Sequence, residues 1–432
     1  MDEPGTRREG LVTEEQQQQQ QLLQEPAPQE MRGPGELIVG LDIGSTKICA
    51  VVGEMFQEHV EVLGMGSAAS TGMRRGVLIS IENTVEGIRA AVTQAGEMAG
   101  CEVGSVYVGI SAAHVSGFSS PGILTINNRE IRQKDVQAVI REAQSVKISD
   151  NQQIIHSEPQ EFMVDHQSGI LNPLGMSGVR LATNVHIVTA DVTALRNLTT
   201  CCNRAGLQVA EVVLESIASA SVLLDREEKE RGVALLDIGG ASTELAVFSG
   251  GAIKHVWHYG YGGNSMTSDL AQGLSTPMHE AERLKLMYGG AIASMIKDNF
   301  VIDVPSTGDR KPRKLSQRVL VDIIEARLTE ILQEVNKELI SSGFHKRIAT
   351  GLVLTGGSSL VPHIADLAEH IIGVPVRLGS PRGLAGRVEI VESPRCTAAV
   401  GLVLHGSRQL AGAALAGQGG VGRLKRWWKG LW

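Results

Sequence analysis

Leu37-Ile-Val-Gly-Leu-Asp-Ile-Gly-Ser-Thr-Lys-Ile-Cys-Ala50 and Val233-Ala-Leu-Leu-Asp-Ile-Gly-Gly-Ala-Ser-Thr-Glu-Leu-Ala-Val247 are near-copies of one pattern. Each reads as a short apolar run suited to a buried strand, an Asp-Ile-Gly turn, small or hydroxyl-bearing residues, and a second strand. Glycine permits a tight hairpin whose backbone N–H groups converge on an anion, and Ser/Thr hydroxyls add donors. The candidate phosphate-holding residues are therefore Gly44, Ser45, Thr46 and Lys47 in the first loop, and Gly239, Gly240, Ala241, Ser242 and Thr243 in the second. Asp42 and Asp237 leave the first strand of each copy and would repel bare phosphate. They make sense with Mg2+ and water in between. One such turn is an ordinary hairpin, but two copies at equivalent points of two α/β lobes predict a triphosphate gripped from opposite sides. Neither loop spells GxxxxGK[ST] or GxGxxG, so this is a different phosphate clamp.

The rest of the chain fits around the two copies. At 432 residues it is too long for one core, and two lobes are expected. The first 35 residues, with Gln16 to Gln21 and Pro26, Pro28 and Pro34, are low-complexity and are set aside as a disordered head. Residues 36–111 and 189–231 read as the core of lobe 1. Within it, Asn83 to Met98 spaces Val85, Ile88, Ala91, Val92 and Ala95 on one helical face, and Gly100 stops the helix. Residues 112–188 break the rhythm and read as an inserted subdomain: a helix Gln133 to Val146, short strands Gln153 to Pro159 and Gln160 to Asp165, and a turn at Asn172-Pro173. Residues 232–263 and 345–405 form the core of lobe 2, and 264–344 its outer subdomain, with helices at 277–288 and 316–340. Residues 406–420, rich in Gly and Ala, read as a flexible linker reaching a few nanometres, at about 5–6 Å × √n.

The formal charge of −7 excludes a body built to bind nucleic acid. Five scattered cysteines without CxxC spacing read as reduced thiols of a cytosolic protein. No apolar run is long enough to span a bilayer, and the acidic, Gln-rich N-terminus is unlike a signal peptide. The C-terminal twelve residues are the exception in charge. At 100° per residue, Val421, Leu424, Trp427, Trp428, Leu431 and Trp432 fall in an arc of about 140°. Arg423, Lys425, Arg426 and Lys429 fill the other side. Trp opposite cations is how a helix lies in an anionic lipid interface, so 421–432 is expected to be a membrane-targeting amphipathic helix. A helix docked on the protein's own core is the alternative, but cores rarely place three Trp beside four cations.

The paired loops resemble the superfamily of actin, sugar kinases and heat-shock chaperones. DIGSTK is similar to its first phosphate motif and DIGGAST to its second. Leu354-Thr-Gly-Gly-Ser-Ser-Leu360 is similar to its adenosine motif, which implies that Gly356, Gly357 and Ser358 lie against the purine. Tyr261-Gly-Gly-Asn264 matches the Gly-rich turn beside the ribose, bringing in Gly263 and Asn264. Glu282 and Lys285 match the helical Glu-x-x-Lys that brackets adenine and ribose, although such a pair alone is usually a solvated ion pair. The position of the insert, with His156-Ser-Glu-Pro159, Glu161-Phe-Met-Val-Asp165, Asn172-Pro-Leu-Gly and Ser177-Gly-Val-Arg180, resembles the FtsA family of bacterial cell-division proteins from about Leu37 to the C-terminus.

That resemblance implies an actin-like two-lobe ATPase fold of duplicated βββαβα lobes, with an FtsA-type inserted subdomain and a C-terminal amphipathic helix. It implies an ATP- and Mg2+-binding scaffold that is a slow ATPase at most. It would tether FtsZ filaments to the cytoplasmic face of the membrane at the septum, polymerise with itself, and engage later division proteins. FtsZ's C-terminal peptide would dock on the outer subdomain. There the 316–340 helix would turn Val319, Ile323, Ala326, Ile331 and Val335 inward and leave Arg318 and Arg327 free for the peptide's acids. Glu215, between the lobes, either orients a water toward the γ-phosphate, as a Glu of MreB-like proteins does, or caps its helix. Two other readings stay open: an exopolyphosphatase-type hydrolase, which Asp237 to Glu244 resembles, and a pilus-type scaffold.

Overall fold

The computed structural model describes residues 35–56, 59–297, 299–307 and 311–418, with side chains from 412 to 418 left aside. The expected disordered head and amphipathic tail lie outside these residues. From Leu37 onward the described residues belong to one unit.

Two sheets repeat one plan. The first runs Gln208–Leu214, Ser105–Ile110, Glu36–Ile43, Lys47–Phe56, His59–Ala69 and Ala385–Gly386. The second runs Val376–Leu378, Leu352–Thr355, Val233–Ile238, Thr243–Ser249 and Ala252–Tyr259. In each, a strand enters an Asp-Ile-Gly hairpin, continues antiparallel through two more strands, and has a later parallel strand added on its other side. The duplication read from the two Asp-Ile-Gly copies is thus a duplication of topology. Central strands buried on both faces explain the near-continuous apolar runs at 37–43 and 233–238.

The helix Ile81–Ala99 covers the first sheet. Ser80 accepts from the Asn83 amide at its start, and the carbonyls of Gly96 and Glu97 accept from the amides of Cys101 and Gly100 at its end. Val85, Ile88, Ala91, Val92 and Ala95 all face the core, as their spacing predicts. Emptying Ile88 to alanine costs about 2–5 kcal/mol by the usual cavity cost.

The insert is a four-stranded sheet ordered Val115–Glu130, Ser177–Asp191, Gln152–Val164 and Gln167–Ile170, carrying the helix Gln133–Gln144. Gln153 to Pro159 and Gln160 to Asp165, expected as separate strands, are one strand, Gln152–Val164. The register against Ser177–Asp191 shifts between Asn184 and Val185, opposite Pro159. That irregularity lets a strand pass through a residue without an N–H.

Two further expectations are corrected. The helix Thr397–Gln418 runs through most of the presumed linker 406–420. Its Ala and Leu content favours helix, and its apolar face continues past 405, with Ser407 buried and Leu410 packed on the core shared by the two sheets. The helix Gln317–Ser341 buries Leu320, Val321, Ile324, Leu328, Ile331, Leu332, Val335 and Leu339, so its inward stripe is rotated from the expected one. Ile331 and Val335 face inward, whereas Ala326 and Val319 are exposed and Ile323 is half-buried. Along this long helix apolar residues occur on more than one face. Which face is covered depends on the helices Gly263–Gly273, Met278–Tyr288 and Ile364–Ile372 packed against it.

Candidate nucleotide cleft

The two loops meet. A Cβ built on Gly240 would stand 2.2 Å from Thr46 Cγ2, 2.8 Å from its Oγ1 and 3.1 Å from its Cβ, so the second loop rests directly on the first. Each is closed by its own backbone: the Gly44 amide donates to the Lys47 carbonyl at 3.1 Å, and the Gly239 amide to the Ser242 carbonyl at 2.9 Å. Ser45 Oγ accepts from the Gly76 amide at 2.7 Å, and Thr243 Oγ1 donates to the Tyr261 carbonyl at 2.8 Å. Ala241 and Ser242 complete the second turn.

The other sequence-predicted residues gather on the second loop. The Gly263 amide donates to the Gly239 carbonyl at 3.0 Å, and the Asn264 amide to the Gly240 carbonyl at 2.5 Å. Ser358 Oγ donates to the same Gly239 carbonyl at 3.0 Å. Gly356 adopts φ +85°, and a Cβ there would lie 2.2 Å from Asp237 Oδ1, so only glycine fits between the adenosine motif and the second Asp. Gly357 follows it in the same turn.

Glu282 and Lys285, on the helix Met278–Tyr288, are more than a surface pair: the Lys285 side chain is largely buried, while Glu282 stays half-exposed. Lys285 Nζ lies 2.7 Å from Glu282 Oε2 and donates to Thr267 Oγ1 at 2.8 Å and to the Gly263 carbonyl at 3.1 Å. Thr267 Oγ1 also donates to Glu282. Residues from four sequence-distant segments are thereby held around Gly239 and Gly263.

The electrostatics are those of uncompensated negative charge. Burial, then the Glu244 and Asp42 carboxylates, raise Asp237 to about 7 against the pull of Lys47. Burial raises Asp42 to about 6, again opposed by Lys47. Among the described residues, no three His, Cys, Asp or Glu side chains converge closely enough to hold a metal by themselves. A divalent cation would fit here through water and phosphate oxygens, neutralising carboxylates that now resist ionisation.

Glu215 is the first residue of the helix Glu215–Leu223. Its side chain lies against Gly109, where Oε1 is 3.2 Å from a built Cβ. Burial, followed by Asp42, Glu244 and Asp237, pushes it well above the usual carboxylate range. The carboxylate therefore belongs to the acidic cluster. It also lines a cavity of about 250 Å³ with Gly109, Ser111, His114, Asp191 and Asn197. A larger groove of about 570 Å³, lined by Asn336, Ile340 and His370, shares no residue with the loops. Convergence of glycines and carboxylates, not size, marks the site.

Arg318 is exposed near the start of the helix Gln317–Ser341, but Arg327 is not free as expected. Its Nε and Nη2 donate to Asp269 at 2.6 and 3.0 Å, its Nη1 to Glu330 at 2.6 Å, and its guanidinium lies 5.5 Å from the Tyr261 ring centroid. Arg75 of the first lobe lies 5.7 Å from the same centroid. Arg327 thus ties the outer subdomain to the cleft. Its true partner, Asp269, is 58 residues away in sequence.

Glu244 was missed. It accepts from the Ser111 hydroxyl and, at 3.1 Å, from the Ala112 amide, joining the second loop's hairpin to the junction of lobe 1 and the insert. The signal was a charged residue opening an otherwise apolar strand.

This architecture defines an actin-like ATPase fold. Its likeness to the solved type IV pilus PilM–PilN complex has a TM-score of 0.61 at 20% identity, covering 86% of this chain and 98% of that one. Its likeness to MreB5 of Spiroplasma citri bound to ADP has a TM-score of 0.53 at 13% identity, covering 88% and 98%. A family model described as "Cell division protein FtsA" matches residues 234–401, and one described as "SHS2 domain inserted in FTSA" matches 112–189. The chain is 41% identical over 409 residues to cell division protein FtsA of Pseudomonas aeruginosa, covering 92% of this chain and 98% of the relative. It is 36% identical over 379 residues to that of Escherichia coli K12, covering 86% and 90%. The chain belongs to the FtsA family of cell-division proteins.

Proposed function

We propose that this chain binds ATP with Mg2+ and tethers FtsZ filaments to the cytoplasmic face of the membrane at the division septum, where later division proteins join it. The observation that carries the nucleotide half is the contact of the two Asp-Ile-Gly loops, with Gly263, Ser358 and Gly356 drawn onto the second. Backbone amides of both loops, with the Ser45, Thr46 and Ser242 hydroxyls and Lys47, hold the phosphates. Asp42 and Asp237 would hold Mg2+ through water, Glu282 and Lys285 would bracket the ribose and adenine, and Gly356 and Gly357 would line the purine. Glu215 either orients a water or caps its helix, and the family resemblance supports slow hydrolysis at most, with nucleotide acting mainly as a switch.

The core of lobe 1 is 36–111 with 189–231, the insert is 112–188, and lobe 2 is 232–263 with most of 345–405, from which Ala385–Gly386 and the helix Thr397–Gln418 return to the lobe 1 sheet. The outer subdomain, 264–344, presents the FtsZ-peptide surface. Arg318 is exposed there and available for the peptide's acids, whereas Arg327 is committed to Asp269. The chain assembles into actin-like filaments, which turn the weak attachment of one tail into firm attachment by avidity. Among the described residues no helix is long and apolar enough to cross a membrane; the amphipathic residues 421–432 supply the attachment in this proposal.

Sedimentation with anionic liposomes at physiological salt tests the proposal. The full chain should carry FtsZ into the pellet. The chain without 421–432, or with Trp427 and Trp428 changed to Glu, should leave both proteins in the supernatant at unchanged ATP affinity. Sedimentation of the shortened chain would refute the tail as anchor, and liposome-bound protein that leaves FtsZ behind would refute the tether.

A further inference from the structure

Beside the first phosphate loop lies a group of sulfur atoms that nucleotide binding does not use. Cys49, on the strand that begins at Lys47, and Cys396, just before the helix Thr397–Gln418, are buried in the same core cluster. The two thiols are near enough that each shifts the other's ionisation. Cys396 Sγ also lies 3.3 Å from Met65 Sδ and 3.8 Å from Lys47 Nζ, the cation of the first loop. The neighbouring Arg395 has its Cγ 3.7 Å from where a Cβ on Gly357 would stand, so this segment also abuts the adenosine motif. The other free thiols, Cys101, Cys201 and Cys202, are not part of this group.

We propose that Cys49 and Cys396 are a redox-sensitive dithiol that closes reversibly to a disulfide and so couples peroxide exposure to the nucleotide cleft. The asymmetry of the pair suits two-step chemistry. The neighbouring Cys49 and the charge of Lys47 hold Cys396 down to about 7, against burial and the nearby Asp42, whereas Cys49 is pushed well up by Cys396 and by burial. The Cys396 thiolate attacks one oxygen of hydrogen peroxide, the O–O bond breaks, and hydroxide leaves to take up a proton as water. The Cys49 sulfur then attacks the Cys396 sulfenic sulfur. The S–O bond breaks, the S–S bond forms, and the Cys49 proton leaves with the hydroxyl as a second water. Two thiols are oxidised by one peroxide, which is reduced to two waters.

A disulfide fixes the two sulfurs about 2 Å apart, closer than any hydrogen-bonded pair. Cys49 and Cys396 must therefore draw together, and the segment that carries Cys396 and Arg395 shifts with them. Lys47 loses its thiol partner, and the support of Gly357 shifts. The functional half of this proposal rests on the ATP reading above.

The test treats the full-length protein with hydrogen peroxide. Non-reducing mass spectrometry should find one intrachain link, between the peptides holding Cys49 and Cys396. ATP affinity should fall at least fivefold and return with dithiothreitol. In Cys49→Ala the link cannot form, and dimedone should trap a sulfenic acid on Cys396. Cys396→Ser should bind ATP equally well before and after peroxide. Oxidation of Cys101 without the Cys49–Cys396 link, or a complete link with unaltered ATP affinity, would overturn the proposal. Reduced protein that forms the link but binds no ATP would sink the nucleotide reading and leave the dithiol standing.

Discussion

Replacing Gly240 by alanine is the most direct probe of the contact between the two loops. The new Cβ would stand 2.2 Å from Thr46 Cγ2, 2.8 Å from Oγ1 and 3.1 Å from Cβ, while ordinary contact begins near 3.4 Å. Rotating Thr46 gives little relief, because a β-branched side chain fills two of its three staggered positions in any rotamer. The loops must part by about 1 Å, which stretches amide-to-phosphate hydrogen bonds of about 2.9 Å to nearly 4 Å, beyond bonding range. Two charge-assisted bonds lost at about 1.5 kcal/mol each give about 3 kcal/mol, or roughly a hundredfold in ATP affinity. Titration with a fluorescent ATP analogue measures this, and circular dichroism checks that the fold is kept. The second-site variant makes the reasoning specific. Thr46→Ala alone removes one hydroxyl donor and should cost about 1 kcal/mol, but with Gly240→Ala it should restore most of the lost affinity, a coupling of at least about 1 kcal/mol. ATP affinity unchanged in Gly240→Ala, or a double variant no better than Gly240→Ala, refutes the loop-on-loop clamp.

The carboxylates set a pH dependence. With Asp42 raised to about 6 and Asp237 to about 7, the empty folded protein keeps protons that the unfolded chain releases near pH 4. The folded state then binds more protons between about pH 4 and 7, so stability of the empty protein falls as pH rises through that window. Mg2+–ATP needs both groups ionised and should bind roughly tenfold or more tightly at pH 8 than at pH 6. Calorimetry at pH 6.5 in buffers of different ionisation heat should register proton release, and Asp237→Asn should abolish most of it; heats independent of buffer would contradict the assignment. Glu215→Gln removes the carboxylate proposed to orient a water while easing repulsion from Asp42, Glu244 and Asp237. It should slow phosphate release at least tenfold with ATP affinity equal or tighter, and undiminished turnover would return Glu215 to a purely structural role.

Much of the cleft was legible because its chemistry is local. An Asp-Ile-Gly turn between two apolar runs carries its own donors, its own carboxylate and its own strand pair, and its recurrence at 233–247 announced the duplicated topology. The helix Ile81–Ala99 was equally readable, since it covers the sheet with one stripe and Gly100 marks its stop. What stayed hidden lies in pairings across long separations. Arg327 reads as a free cation until Asp269 meets it, Glu244 reads as a hairpin residue until Ser111 and Ala112 donate to it, and Cys49 and Cys396 read as isolated thiols. The long helix Gln317–Ser341 shows the same limit. Sequence alone predicts Val319, Ile323, Ala326, Ile331 and Val335 inward. The bodies packed around the helix instead bury Leu320, Val321, Ile324 and Leu328 beside Ile331 and Val335, because burial belongs to the whole assembly of elements and not to any one segment.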